Sequence, residues 1–215
     1  MISYASPKIF SIKQEVETFL NQSWQINRRK LIKDLKDMAN EMYNFLSHDH
    51  QKLYEFFTYL RHFGFPSPLI DWSRSPYIAA YFAFRQKHVK PPENVSIYVF
   101  LEYPKGEKLI NGWPLLGGLS QYQKTHPRHF LQQCEYTVCV NLIESNPSRE
   151  YYFFSHQDYF SFYQTGDQDL LWKFNIPYSE RKKVLHFLDQ VNINSFSLFQ
   201  TGEGLMETMA LRHFS

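Results

Sequence analysis

The chain has 215 residues, of which 43% are hydrophobic and 18% aromatic, with 23 basic and 21 acidic side chains. This length suits one large domain, or one domain with a helical extension, and the apolar content is enough for a sizeable core. The formal net charge of +2 gives no strong signature of nucleic acid or of an anionic membrane as a partner.

The two cysteines, Cys134 and Cys139, lie in one predicted strand. Their odd spacing places the side chains on opposite faces of the strand, so we do not expect an internal disulfide. The spacing does not fit a zinc site either, and no metal is predicted. We find no signal peptide and no long apolar run, so we expect a cytoplasmic protein, of the producing cell or of a host cell, without a membrane partner.

The N-terminal part has a helical pattern. Residues 1–12 are predicted to form a short strand or an ordered arm, and apolar side chains then recur at three- and four-residue steps from Lys13 to Leu46. The basic residues at 28–36 are interpreted as a solvated helix face rather than an anion site. We predict a helical segment over residues 1–52, followed by a compact part over residues 53–215.

The most specific local pattern lies between residues 60 and 84. A glycine and two prolines directly after the helix predicted at 51–62 indicate an irregular turn. Ser75 and Pro76 then predict a helix start, with serine at the N-cap and proline at the first helical position. Asp71 and the tryptophan after it are interpreted either as part of a site or as a packed turn whose carboxylate caps a backbone end.

The rest of the chain alternates strands and helices. Predicted strands are Val95–Tyr103, which we expect to be buried, Leu170–Ile176, and a last short strand at Phe196–Phe199. Predicted helices are 76–86, one that begins with Ser179 as its N-cap, and a terminal helix that opens at Thr201. Residues 105–125 are predicted as a long glycine-rich loop, and residues 145–169 as a hairpin or an aromatic loop.

Two stretches resemble the FRG domain. The first is its central signature, carried here by Arg61, His62, Phe63, Gly64, Pro66, Ser67, Leu69, Ile70, Asp71, Trp72, Ser73, Ser75, Pro76, Ala79, Tyr81, Phe82 and Ala83. The second lies at residues 126–140 and is carried by Arg128, Gln132, Gln133, Tyr136 and Thr137. With a closing segment near the C-terminus, the resemblance covers about residues 53–214.

The resemblance implies a fold and a function. The family occurs mostly in bacterial and phage proteins and has been proposed to resemble ADP-ribosyltransferases. It therefore implies an α+β fold, with a mostly antiparallel ADP-ribosyltransferase-like sheet in an FRG-like domain and a helical N-terminal part. It implies an NAD-dependent toxin, effector or phage-defence factor that modifies an unknown protein or nucleic-acid acceptor. The alternative is a non-catalytic module that binds a ligand or a partner through a degenerate site.

Transfer from NAD requires particular side chains. A carboxylate can stabilise the positive charge that develops at the ribose, and the candidates for this role are Asp71 and Glu135. The candidate binding residues are Trp72, Tyr81 and Tyr136 as a nicotinamide shelf, Ser73 and Ser75 for ribose, Arg128 for the pyrophosphate, and Gln132 and Gln133 from the second signature. The spacing of Gln133 and Glu135 predicts that both lie on one strand face, which resembles the Gln/Glu-x-Glu pair of ADP-ribosyltransferases.

These candidates also have plainer interpretations. Trp72 fits core burial, and Arg128 fits a surface ion pair. The N-terminal Phe/Tyr-Arg-Gly motif after which the family is named is not identifiable, since Arg28 and Arg29 lack the glycine and follow a helical pattern. Either the first strand is missing from this chain or the site has diverged, and both alternatives favour the non-catalytic module.

Overall fold

A computed structural model describes residues 7–21, 23–24, 51–102, 114–119, 126–145, 148–163 and 169–214. In chain order its elements are α1 (Pro7–Leu20), α2 (Gln51–His62), β1 (Leu69–Ser73), α3 (Pro76–Arg85), β2 (Asn94–Leu101), β3 (Leu115–Leu119), α4 (Arg128–Leu131), β4 (Cys134–Ser145), β5 (Ser148–Phe153), α5 (His156–Phe162), β6 (Leu170–Pro177), α6 (Arg181–Gln190), α7 (Ser195–Phe199) and α8 (Gly202–Phe214). This combination of helices and mostly antiparallel sheets confirms the α+β class, whereas the ADP-ribosyltransferase-like sheet stays a prediction.

The chain divides into two compact units. The first unit contains residues 1–71, 109–126 and 135–164, and the second contains residues 72–108, 127–134 and 165–215. The boundary falls inside β1 and at the start of β4. The predicted division into a segment over 1–52 and a domain over 53–215 stays a prediction. Among the described helices, none has the length and apolar character needed to cross a membrane.

The first unit is built around β4. The strand order is β1–β4–β3, and β5 also pairs with β4. The pairs β3–β4 and β4–β5 are antiparallel. Residues 136–140 of β4 are all buried, as expected for a strand covered on both faces. Cys134 and Cys139 are buried, and no disulfide joins them.

The second unit packs helices against a two-stranded ribbon. β2 pairs with β6 in antiparallel register, with Val95 opposite Ile176. One face of α3 supplies Ile78, Tyr81 and Phe84 to a core that also contains Val95, Leu185, Leu188 and Leu198. The predicted start of α3 is confirmed, because the Ser75 hydroxyl accepts a hydrogen bond from the Ile78 N–H at 3.3 Å. Pro76 occupies the first helical position, where its missing N–H removes no helical hydrogen bond.

The prediction of a strand near the N-terminus is wrong. Residues from Pro7 onward form α1, not a strand, because this apolar pattern continues into the helix. The helix ends at Leu20, where Asn21 adopts a left-handed conformation with φ of 49°. The rest of the helix predicted to Leu46, including the basic residues at 28–36, lies outside the described residues.

Side-chain hydrogen bonds explain two further corrections. The strand predicted at Phe196–Phe199 is helix α7, because Asn194 and Ser197 form a reciprocal capping box that overrides the aromatic strand preference. Ser179 does not cap α6: residues Tyr178–Glu180 form a 3-10 turn, and α6 begins at Arg181 without a side-chain cap.

The sheets also differ from the predicted pattern. β2 is not buried along its length, since only Val95 is fully covered and a two-stranded ribbon leaves its remaining residues partly exposed. β3 lies inside the predicted glycine-rich loop, where Gly117 pairs with Val138 of β4. Within residues 145–169, predicted as a hairpin or an aromatic loop, β5 pairs with the preceding strand β4, and helix α5 was missed although Ser155 caps it.

Candidate functional site

Asp71 forms an ion pair in the first unit. Its Oδ1 accepts a hydrogen bond from Nε of Arg61 at 2.7 Å, and both side chains are partly exposed. The carboxylate is therefore held by a guanidinium from the end of α2, rather than by a backbone N–H. A charge-assisted hydrogen bond of this kind fixes the position of the carboxylate.

Tyr136 and Glu135 lie on β4 in the same unit. The Tyr136 hydroxyl lies 2.8 Å from Nε2 of His62, a residue of the central signature, and the two rings meet edge to face. Tyr136 is fully buried, whereas Glu135 is half-buried. Gln133 has a left-handed φ of 49° and precedes β4. The prediction that Gln133 and Glu135 share a strand face is therefore wrong, because only Glu135 is in the strand.

In the second unit, two hydrogen bonds join the end of β1 to the turn after α4. The Ser73 hydroxyl donates to the Gln132 carbonyl at 2.9 Å, and the Arg74 N–H donates to the Gln133 carbonyl at 3.0 Å. The Ser73 hydroxyl also accepts from the Ser75 N–H at 3.2 Å. We call this connection the β1–α4 joint. It brings the two signature stretches into direct contact.

Three further candidates surround this joint. The buried Gln132 donates from Nε2 to the carbonyl of Leu198 at 3.1 Å, and so links α4 to α7. The Trp72 ring stacks on Phe100, with 5.2 Å between ring centroids. The Arg128 guanidinium carbon lies 5.3 Å from the centroid of the Phe199 ring. The structure thus places Trp72, Ser73, Ser75, Arg128, Gln132 and Gln133 in the second unit, whereas Asp71, Glu135 and Tyr136 belong to the first.

Tyr81, the remaining candidate, belongs to a different group within the second unit. It is buried, and burial raises the pKa of its hydroxyl, which is hydrogen-bonded to Ser195. The Ser195 hydroxyl donates to Oε2 of Glu207 at 2.5 Å. Arg85 donates to the two oxygens of the same carboxylate, with the shortest contact at 3.0 Å. Burial opposes the ionisation of Glu207, but the hydrogen bonds from Arg85 and Ser195 outweigh it and lower the pKa of this carboxyl.

This group lines a cleft of about 830 Å³ formed by α3, α6, α7 and α8. Of the cleft residues, the sequence analysis proposed only Tyr81. Tyr81 and Arg85 lie four positions apart on α3 and so share a helix face, which is a signal that could have identified Arg85. Glu207 could not be found in this way, because 122 positions separate it from Arg85. Within the described residues, no three His, Cys, Asp or Glu side chains are grouped so that they could hold a metal ion.

Comparison with known proteins finds a match to one family model. The model of the FRG domain matches residues 6–91. This range contains α1, α2, β1 and α3, and therefore the whole central signature, which confirms the resemblance. It begins earlier than the resemblance inferred from the sequence and ends before the second signature. No curated protein and no solved structure matches the chain.

Proposed function

Because the chain carries an FRG domain at residues 6–91, we propose that it binds NAD and acts as an ADP-ribosyltransferase-like toxin, effector or phage-defence factor. The observation that supports this proposal most directly is the β1–α4 joint. The joint connects the two signature stretches, which are far apart in sequence. One hydrogen bond joins Ser73 to Gln132, and another joins Arg74 to Gln133. Such a convergence is expected if both stretches contribute to one ligand site.

The side chains at the joint suit different parts of a dinucleotide. Arg128 is half-buried beside the Phe199 ring, and a guanidinium can hold a pyrophosphate through paired hydrogen bonds. Trp72 already stacks on Phe100, and an aromatic face of this kind can carry nicotinamide. Gln133 is exposed in its left-handed turn, where its amide can bind ribose hydroxyls.

Asp71 is the carboxylate that we propose for the chemical step. In the proposed reaction the bond between ribose and nicotinamide breaks, and nicotinamide leaves with the bonding electrons. A carboxylate that is already in position before the bond breaks stabilises the positive charge that develops on the ribose. The hydrogen bond from Arg61 holds the Asp71 carboxylate in place for this role. An acceptor nucleophile then bonds to the ribose carbon and gives up its proton.

Isothermal titration calorimetry with NAD tests the binding part of the proposal. We expect micromolar affinity for the unmodified chain and at least a tenfold loss for Arg128→Ala, since a charged contact to the pyrophosphate is removed. Lys183→Ala is the matched control, because it removes one positive charge from a mostly exposed side chain of the same unit. Absence of NAD binding to the folded chain, or an equal loss in both variants, would contradict the proposal.

The non-catalytic module is the second candidate. It is supported by polar signature side chains whose hydrogen bonds go to the protein itself. Ser75 caps α3, and both amide atoms of Gln132 contact protein groups. A release assay for free nicotinamide distinguishes the two candidates. A transferase should release nicotinamide and lose this activity in Asp71→Asn while still binding NAD. A module should bind its ligand without releasing nicotinamide.

A further inference from the structure

The cleft between α3, α6, α7 and α8 carries an excess of positive charge. Arg85 and Lys87 lie on its α3 side, and Arg181 and Lys182 lie at the start of α6. Glu207 is the carboxylate among its lining residues. Cationic side chains that approach one cavity from two elements create a local potential that favours an anionic ligand.

Two of the cations are held in place by the protein. The Arg181 guanidinium donates to the carbonyls of Phe84 and Arg85, at 2.9 and 3.0 Å, and so covers the C-terminal end of α3. The Arg85 guanidinium is fixed by Glu207 and lies 4.2 Å from the centroid of the Phe199 ring. A binding group that is already ordered loses little conformational freedom when a ligand arrives.

The two lysines differ from the arginines. Within the part of the chain that the structure describes, neither Lys87 nor Lys182 forms an ion pair or a side-chain hydrogen bond. Their ammonium groups are therefore available to a ligand in the cleft. Lys183, directly beside Lys182, instead pairs with Glu180 at 3.1 Å and does not line the cleft.

The order of charges on α6 is also unusual. The helix begins with Arg181, Lys182 and Lys183, and its N-cap residue Glu180 caps no backbone N–H and pairs instead with Lys183. Positive side chains at a helix N-terminus oppose the helix dipole, whereas an anion at this end interacts favourably with both. A bound anion in the cleft would therefore add a favourable interaction at this helix end.

The cleft has an apolar part as well. Phe82, Leu185 and Phe214 are among its lining residues, and its volume of about 830 Å³ falls in the range of small-molecule sites. From the charged walls and the aromatic lining, we propose that this cleft binds a diphosphate-bearing small molecule of the nucleoside diphosphate class. The diphosphate contacts Lys87, Arg181 and Lys182, and the base contacts the aromatic side chains. Arg128 of the β1–α4 joint does not line this cleft, although it lies against the same Phe199 ring as Arg85.

The test is calorimetry on the full chain with inorganic pyrophosphate and with ADP. Both should bind, and ADP should bind at least fivefold more tightly because its base contacts the apolar lining. Lys182→Ala should weaken both ligands by at least fivefold. Lys183→Ala removes the same charge from the neighbouring position of α6 and should leave both affinities within twofold of the original.

The other outcomes overturn the proposal. If neither probe binds, the cleft is not an anion site. If Lys183→Ala weakens binding as much as Lys182→Ala, the attraction is a general charge effect. If ADP binds no better than pyrophosphate, the nucleoside part is wrong. Arg128→Ala should leave ADP binding unchanged, and loss of ADP binding in this variant would place the ligand at the joint instead. Failure of NAD to bind would contradict only the proposed function.

Discussion

Substitution of Gly204 by alanine tests how closely α7 and α8 pack. Gly204 is buried in the first turn of α8, and a Cβ added there would lie 2.9 Å from the carbonyl oxygen of Ser195 and 3.2 Å from its carbonyl carbon. Both atoms belong to the backbone of α7 and cannot rotate away. The Thr208 hydroxyl, which donates to the Gly204 carbonyl and accepts from the Phe196 N–H, further fixes the two helices together.

The expected magnitude follows from two opposing terms. Alanine gains about 1 kcal/mol over glycine in a helix interior, and less in a first turn, whereas an inserted methyl group in a tightly packed site costs about 1–3 kcal/mol. We therefore expect Gly204→Ala to lower the free energy of unfolding by about 1–2 kcal/mol in urea titrations.

Gly202→Ala is the control for this prediction. Gly202 is also in the first turn of α8, but no atom lies within 4 Å of the position of its Cβ. Its substitution should change the free energy of unfolding by less than about 1 kcal/mol, in the stabilising direction. If Gly204→Ala is as stable as Gly202→Ala, the close contact between α7 and α8 does not exist as described.

Three further predictions concern single residues. Burial lowers the pKa of His156 to about 4, so the unfolded chain binds the extra proton between about pH 6.5 and pH 4. The free energy of unfolding should fall by about 3 kcal/mol as pH decreases through this window. If the free energy of unfolding of His156→Gln depends on pH in the same way, His156 is not the cause. Asn194→Ala should cost about 1–3 kcal/mol in urea unfolding, because buried Asn194 caps α7 and donates to Asp189. Asn175 is exposed on a strand, and a loss of stability in Asn194→Ala as small as that in Asn175→Ala would contradict this role. Asp71→Asn should cost less than about 1 kcal/mol, as is usual for a partly exposed ion pair, and a larger loss would show that the carboxylate is needed for the fold.

The sequence predicted those parts of the fold that local interactions determine. Ser75 and Pro76 start α3 because the cap and the fixed proline geometry need only neighbouring residues. The same reasoning failed at residues 196–199, where aromatic side chains favour a strand but the capping box of Asn194 imposes a helix. It also failed at Gln133, because the left-handed turn before β4 depends on how α4 ends rather than on strand periodicity.

The site was predictable only where its residues are close in sequence. The signature residues were found as continuous strings, whereas the pairing of Arg85 with Glu207 joins residues 122 positions apart and has no local signal. Pattern reasoning therefore identified residues of the β1–α4 joint but missed most of the cleft. It also could not show that Asp71 and Glu135 belong to one unit and Arg128 to the other.

The hydrogen bonds of Gln132 decide how mutations in the signature should be interpreted. Ser73 binds the Gln132 carbonyl, and the Gln132 amide binds the Leu198 carbonyl of α7, the helix that also carries Ser195. Loss of ligand affinity in Gln132→Ala could therefore arise through displacement of α7 without any contact between Gln132 and the ligand. Gln133 provides the cleaner test, because its side chain is exposed while its backbone carbonyl makes the bond to Arg74. Reduced NAD affinity in Gln133→Ala at unchanged stability would indicate a direct contact at the joint.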